Sequence, residues 1–176
     1  AETSIVIVVD NTPPSAGINE PLDGVYVKGI ISVNVTGTDA NFYKMELYIS
    51  GILKRTWTEG GIQTYDWDTR ADTDGSCTIK LIVYDKAGNI LTIMKTVTVD
   101  NTVPFAEVIG PIEGTHLKGI YIVDTYSYDV NFNRTELYLD GVMVILGSGV
   151  QNCSWNTMAV DDGPHTIRLI AYDKAG

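Results

Sequence analysis

The chain has 176 residues, 44% hydrophobic and 19% charged, with a formal net charge of -10, a composition that folds rather than one that stays disordered. No apolar run approaches the roughly 20 residues of a membrane helix, and no cleavable leader is legible. The acid excess, with a pI near 4.4, excludes nucleic acid, which demands clustered Lys and Arg; it suits a solvated surface, divalent cations or a salty exterior.

In chain order, the first segment is Thr3-Ser4-Ile5-Val6-Ile7-Val8-Val9, an apolar run closed by Asp10. Period-2 alternation then dominates. It predicts strands A (near 14–20), B (25–37), C (43–50), C′ (52–58), E (63–68), F (76–84) and G (91–99). Ile31, Val33 and Val35 alternate with Ser32, Asn34 and Thr36, and the odd residues from Cys77 to Val83 form one apolar face. Leu22-Asp23-Gly24, Ser50-Gly51, Glu59-Gly60-Gly61, Asp74-Gly75 and Ala87-Gly88-Asn89 supply the turns. No stretch keeps a helical period.

The pattern then recurs. Val9-Asp10-Asn11-Thr12 returns as Val99-Asp100-Asn101-Thr102, Asp39-x-Asn41-Phe42 as Asp129-x-Asn131-Phe132, and Glu46-Leu47-Tyr48 as Glu136-Leu137-Tyr138. After a short deletion, Trp67-x-Thr69 matches Trp155-x-Thr157, and Tyr84-Asp85-Lys86-Ala87-Gly88 matches Tyr172-Asp173-Lys174-Ala175-Gly176. A period of about 90 residues is too long for a solenoid turn and right for a small domain. About seven short strands in that length describe an immunoglobulin-like sandwich, with Trp67 and Trp155 expected to be buried in the two cores.

The expected fold is therefore all-β, two tandem immunoglobulin-like (fibronectin III-like) sandwiches, the second lacking its last strand. The expected bounds are 1–10 for a free G-type strand, 11–99 for repeat 1 and 100–176 for repeat 2. Repeat 2 has no counterpart of strand G, and residues 3–10 align with 93–100, strand G itself. Two explanations stand side by side. The chain is an excerpt of a longer array, or Thr3, Ser4, Ile5, Val6, Ile7, Val8 and Val9 complete the last domain of another copy, with Ile5, Ile7 and Val9 inward. The expected partners are accordingly copies of itself or adjacent repeats of a longer chain.

Such a sandwich brings the linker, B–C and F–G loops to one pole, gathering Asp10, Asp39 and Asp85 in repeat 1 and Asp100, Asp129 and Asp173 in repeat 2. Asp72 and Asp74 belong to the opposite pole. Hard oxygen ligands from several loops are what Ca²⁺ needs, so these eight residues are the candidate metal ligands and Ca²⁺ the candidate cofactor. The alternative is that they serve Asx-turns.

The sequons at Asn34, Asn133 and Asn152 are candidate glycosylation sites. Outward Glu46 and Glu136 are expected to pair across strands with Lys80 and Arg168, and the outward tyrosines form a candidate lateral or carbohydrate-stacking surface. Cys77 and Cys153 occupy unmatched positions and read as small hydrophobes. His116 and His165 have no evident partners. No nucleophile–base–acid set or phosphate loop is legible, so no enzyme is expected.

The string P-x-D-G … D-x-N-F-x-x-x-E-L-Y … Y-x-W-D-T … D-G … T-I-x-L-x-x-Y-D-K-A-G-N resembles bacterial and archaeal Ig-like repeats along both halves. The resemblance implies an extracellular or cell-surface setting, as in adhesins, surface-layer proteins and accessory modules of secreted enzymes. It implies a structural stalk or head-to-tail filament. The alternatives are an adhesin module that binds carbohydrate or a host surface, cell-surface glycans included, or a non-catalytic accessory module.

Overall fold

A computed structural model describes all residues, Ala1–Gly176, as two compact units, Ala1–Asn101 and Thr102–Gly176. Unit 1 contains β1 (Ser15–Glu20), β2 (Tyr26–Val27), β3 (Ile30–Thr38), β4 (Phe42–Ile49), β5 (Ile52–Trp57), β6 (Gly61–Asp68), β7 (Gly75–Asp85) and β8 (Ile90–Val99). One sheet runs β1-β3-β6 and the other β2-β8-β7-β4-β5. The only helical elements are single 3-10 turns at Thr69–Ala71 and Thr157–Ala159, and no helix is long and apolar enough to cross a membrane.

The alternating residues of both sheets meet in one core. Val33 and Val35 of β3 and Trp67 of β6 pack in the same cluster as Met45, Leu47 and Ile49 of β4 and Ile79, Leu81 and Val83 of β7. Val97 and Val99 of β8 close it. Trp67 is 1% exposed, and its indole N–H donates to Asp72 Oδ2 at 2.7 Å. The odd-residue parity read from the sequence is the inward face.

Strand B departs from expectation. Residues 25–37 form two elements, because the chain changes sheets at Lys28-Gly29. Tyr26 and Val27 pair in parallel with Thr98 and Val99, whereas β3 joins β1 and β6. Gly29 takes the turn with φ 66°, a conformation that costs other L-residues steric strain. Its N–H is held by Asn101 Oδ1 and its carbonyl by the Thr69 N–H.

Unit 2 contains β9 (Phe105–Gly110), β10 (Ile120–Tyr128), β11 (Phe132–Leu139), β12 (Val142–Gly147), β13 (Gln151–Asn156) and β14 (Ile167–Asp173). Its sheets run β13-β10-β9 and β12-β11-β14. β14 is paired with β11 only, whereas its counterpart β7 lies between β4 and β8. Residues 116–117, the counterpart of β2, form no strand; in unit 1 that strand leans on β8.

The core responds. Ile79, Leu81 and Val83 are fully buried in unit 1, but their counterparts Ile167, Leu169 and Ala171 are half-buried. The expectation that Trp155 is buried is corrected: it too is half-buried, and Val160 stands where Asp72 binds the Trp67 indole. Part of the difference is compositional. Thr125, Ser127 and Thr135 are buried polar groups at the positions of Val35, Gly37 and Met45. Thr125 Oγ1 donates to the Gln151 carbonyl, and Ser127 and Thr135 bond to each other.

Candidate functional site at an acidic pole and an open sheet edge

Three of the candidate carboxylates meet in unit 1. Oxygens of Asp10, Asp39 and Asp85 all lie within 4.8 Å of one another, Asp85 buried and the others half-buried. Two asparagines build the cluster. Asn41 N–H donates to Asp39 Oδ1 at 2.6 Å, and its side-chain amide to Asp10 Oδ2 at 2.8 Å. Asn89 donates from its backbone to Asp85 Oδ1 at 2.8 Å and from its amide to Asp85 Oδ2 at 2.7 Å and the Asp10 carbonyl at 3.1 Å. The Asx-turn reading is therefore realised, and it is also what brings the carboxylates together.

None of the three forms an ion pair. Burial pushes the Asp85 carboxyl up, but hydrogen bonds from Asn89 and from the N–H groups of Gly88 and Ala87 outweigh it and hold the pKa below the ordinary value. Ca²⁺ takes six to eight oxygen ligands, and carboxylates retain lone pairs after accepting one hydrogen bond. An all-oxygen donor set fits that ion and does not suit metals that prefer thiolate or imidazole.

The other candidates have different neighbours. Asp72 accepts from Trp67, and Asp74 Oδ1 accepts from Asn101 N–H at 2.8 Å; both fasten loops of unit 1. In unit 2, Asp129 Oδ1 repeats the turn with Asn131 N–H at 2.6 Å. Asp173, 2% exposed, keeps Oδ1 enclosed without a hydrogen-bond partner; Asn89 fills that role for the matching Asp85. Asp100 is 2% exposed.

The second feature is an unclosed edge. Residues 1–9 form no strand, and Ile5, Val6, Ile7, Val8 and Val9 are 84, 95, 73, 78 and 74% exposed. β14 offers an unpaired row of backbone groups on the side away from β11. Each defect is the kind that β-strand pairing removes.

The expected Glu46–Lys80 and Glu136–Arg168 pairs do not form. The register sets Glu46 opposite Ile82 and Tyr48 opposite Lys80. Glu46 instead accepts from Lys44 Nζ at 2.6 Å, Tyr48 OH at 2.9 Å and Tyr84 OH at 3.0 Å. The Lys44 hydrogen bond, opposed by burial, holds its pKa below the ordinary range. Lys80 lies 4.4 Å over the Tyr48 ring and Lys44 4.6 Å over Tyr84. Unit 2 repeats the arrangement with Arg134, Glu136, Tyr138 and Tyr172, and Arg168 lies over Tyr138. These rings are engaged with cations and glutamate, which argues against a free stacking platform.

Sequence reasoning missed His165. Its Nδ1 lies 2.7 Å from Asp140 Oδ2, its Nε2 lies 2.8 Å from the Asp161 carbonyl, and its ring packs edge-on against Trp155. The available signal was a paired departure from the repeat: Ser50 and Cys77, 3.0 Å apart in unit 1, become Asp140 and His165. Both cysteines are free thiols, Cys77 buried and Cys153 half-buried. Of the sequons, Asn133 and Asn152 are exposed, and Asn34 is half-buried with its carbonyl oxygen bound by Asn19.

No protein-family model matches the chain, and no curated protein matches it. Among solved structures, the fibronectin(III)-like modules of CbhA from Clostridium thermocellum superpose with a TM-score of 0.54 at 19% identity, over 92% of this chain and 87% of that one. An endo-beta-1,4-mannanase from Thermotoga petrophila matches 53% of this chain and 21% of its own at 20% identity, TM-score 0.47. SGBP-B of the Bacteroides ovatus mixed-linkage glucan utilization locus matches 96% of this chain and 45% of its own at 14% identity, TM-score 0.40. The latter two superpose too loosely to carry an argument. The first supports the fold read from the strand order: the chain is two tandem immunoglobulin-like, fibronectin III-like β-sandwiches.

Proposed function

We propose that the chain is a non-catalytic extracellular structural module, a segment of a surface stalk or filament, in which the free edge of β14 is completed by a G-type strand. The observation that carries this reading is the contrast between β7 and β14. The same sequence pattern is fully buried where β8 flanks it and half-buried where nothing does. Main-chain pairing would supply affinity, and alternate side chains entering the core would supply register. The same reading takes Ca²⁺ at Asp10, Asp39 and Asp85, where it would neutralise the carboxylates and stiffen the pole.

A peptide of residues 88–101, which carries β8, tests the proposal when added to the full chain. Saturable binding with a raised melting temperature is the expected result. Absence of binding at any concentration contradicts it.

The second reading is an accessory module of a secreted enzyme, favoured by the likeness to the CbhA modules. It predicts a catalytic domain in the same gene. A glycan-binding adhesin is the weaker alternative, because Tyr48, Tyr84, Tyr138 and Tyr172 already carry cations; glycan-array binding would restore it.

A further inference from the structure

We propose that unit 1 binds a single neutral sugar ring in a cleft beside the loop that joins the edge strands β5 and β6. The site is separate from the β14 edge and from the tyrosine rings, and the proposal depends on neither. The cleft holds about 180 Å³ and is lined by Arg55, Thr56, Trp57, Thr58, Glu59 and Gln63. Strand pairing fixes how the side chains reach it. Arg55 and Trp57 lie opposite Leu47 and Met45, both fully buried, so they project to the inner side of their sheet. Gln63 lies opposite the buried Val35 on the other sheet. Trp57 and Gln63 are half-buried, while Arg55, Glu59 and both threonines are exposed. Arg55, Trp57, Glu59 and Gln63 form no side-chain hydrogen bond or ion pair within the chain.

Unit 2 fills the same space with its own side chain. Gly147 stands opposite Thr135 as Trp57 stands opposite Met45, and Ile145 stands opposite Leu137 as Arg55 stands opposite Leu47. Gln151 takes the place of Gln63, opposite Thr125 as Gln63 is opposite Val35. Its amide lies 2.7 to 2.8 Å from where a Cβ on residue 147 would stand, and it donates to the Ser148 carbonyl at 2.7 Å. In unit 1 the Trp57 side chain occupies that position, so the Gln63 amide keeps its hydrogen-bonding capacity for a ligand.

The free groups suit a pyranose. Its C–H face lies against the apolar body of the indole. The Glu59 carboxylate accepts from hydroxyls, the Arg55 fork donates to oxygens, and the Gln63 amide does either. Charges of both signs in one cleft disfavour an anion and a cation alike, and the chain's net charge of -10 adds to the repulsion of an anion. The volume is below the roughly 300 Å³ at which drug-sized sites begin, so the occupant is one ring rather than an oligosaccharide.

The test is a tryptophan-emission titration of the full chain with the methyl glycosides of glucose, galactose, mannose and N-acetylglucosamine. A ligand of about a dozen heavy atoms should bind with a Kd on the order of millimolar, so at least one sugar should give a saturable change. Trp57→Phe should remove the emission change. Glu59→Gln and Gln63→Ala, both away from the core, should leave the melting temperature unchanged and weaken binding by about tenfold each. No saturable change with any of the four sugars overturns the proposal. So does a response that keeps its full affinity in Glu59→Gln and Gln63→Ala.

Discussion

Both ring nitrogens of His165 face acceptors, the Asp140 carboxylate and the Asp161 carbonyl, and only the imidazolium can donate to both. The hydrogen bond to Asp140 first, then that to Asp161, raises its pKa above the ordinary value, with the negative charges of Asp140 and Asp161 adding to the effect. Asp140 is lowered, chiefly by the Thr166 N–H and then by His165. Because the folded pKa of His165 is the higher one, its stabilisation is complete below the unfolded value of about 6.5 and is lost as pH rises through the folded value. Urea titrations between pH 5 and 9 should therefore show stability falling over the alkaline side of that window, and His165→Gln should flatten the dependence. An unchanged profile in the variant would remove the clamp. Asp161 is local to His165. Asp140 lies on a hairpin turn 25 residues away that only tertiary folding brings to it, and the paired departure from the repeat was the one signal of that contact.

Strand parity was legible because alternation is local: Ile79, Leu81 and Val83 point inward as their spacing requires. The sheet change at Gly29 and the Tyr48–Lys80 register were not, because both depend on pairing with distant strands. The edge strands show a further contrast. β5 carries Lys54 and Arg55, charges of the kind that discourage edge-to-edge pairing, while β12 has Val144 and Ile145 at the same positions. Val142, Met143, Val144 and Leu146 are 66, 50, 40 and 62% exposed. Val144→Lys should raise the temperature at which turbidity appears and change the unfolding free energy by no more than about 0.5 kcal/mol. Earlier turbidity would mean that this edge is protected in some other way.

On the scale of the whole molecule, the repetition carried the fold, and the pole that gathers Asp10, Asp39 and Asp85 followed from sandwich topology alone. Sequence set Asp72 and Asp74 at the opposite pole but could not show that their oxygens go to Trp67 and Asn101. Calcium at a hundredfold excess over its Kd should stabilise the folded chain by about 2.7 kcal/mol, seen as a rise of several degrees in the melt of unit 1. Asp85→Asn should abolish the response. Identical melts with Ca²⁺ and with chelator would take the metal out of the account.

The central claim is that a seventh strand closes the free edge of β14, and amide hydrogen exchange of residues 167–173 reads it directly. Exchange there should be fast in the chain alone and slow toward the protection of β7 as the 88–101 peptide is added. Exchange that stays fast at every peptide concentration would contradict the account.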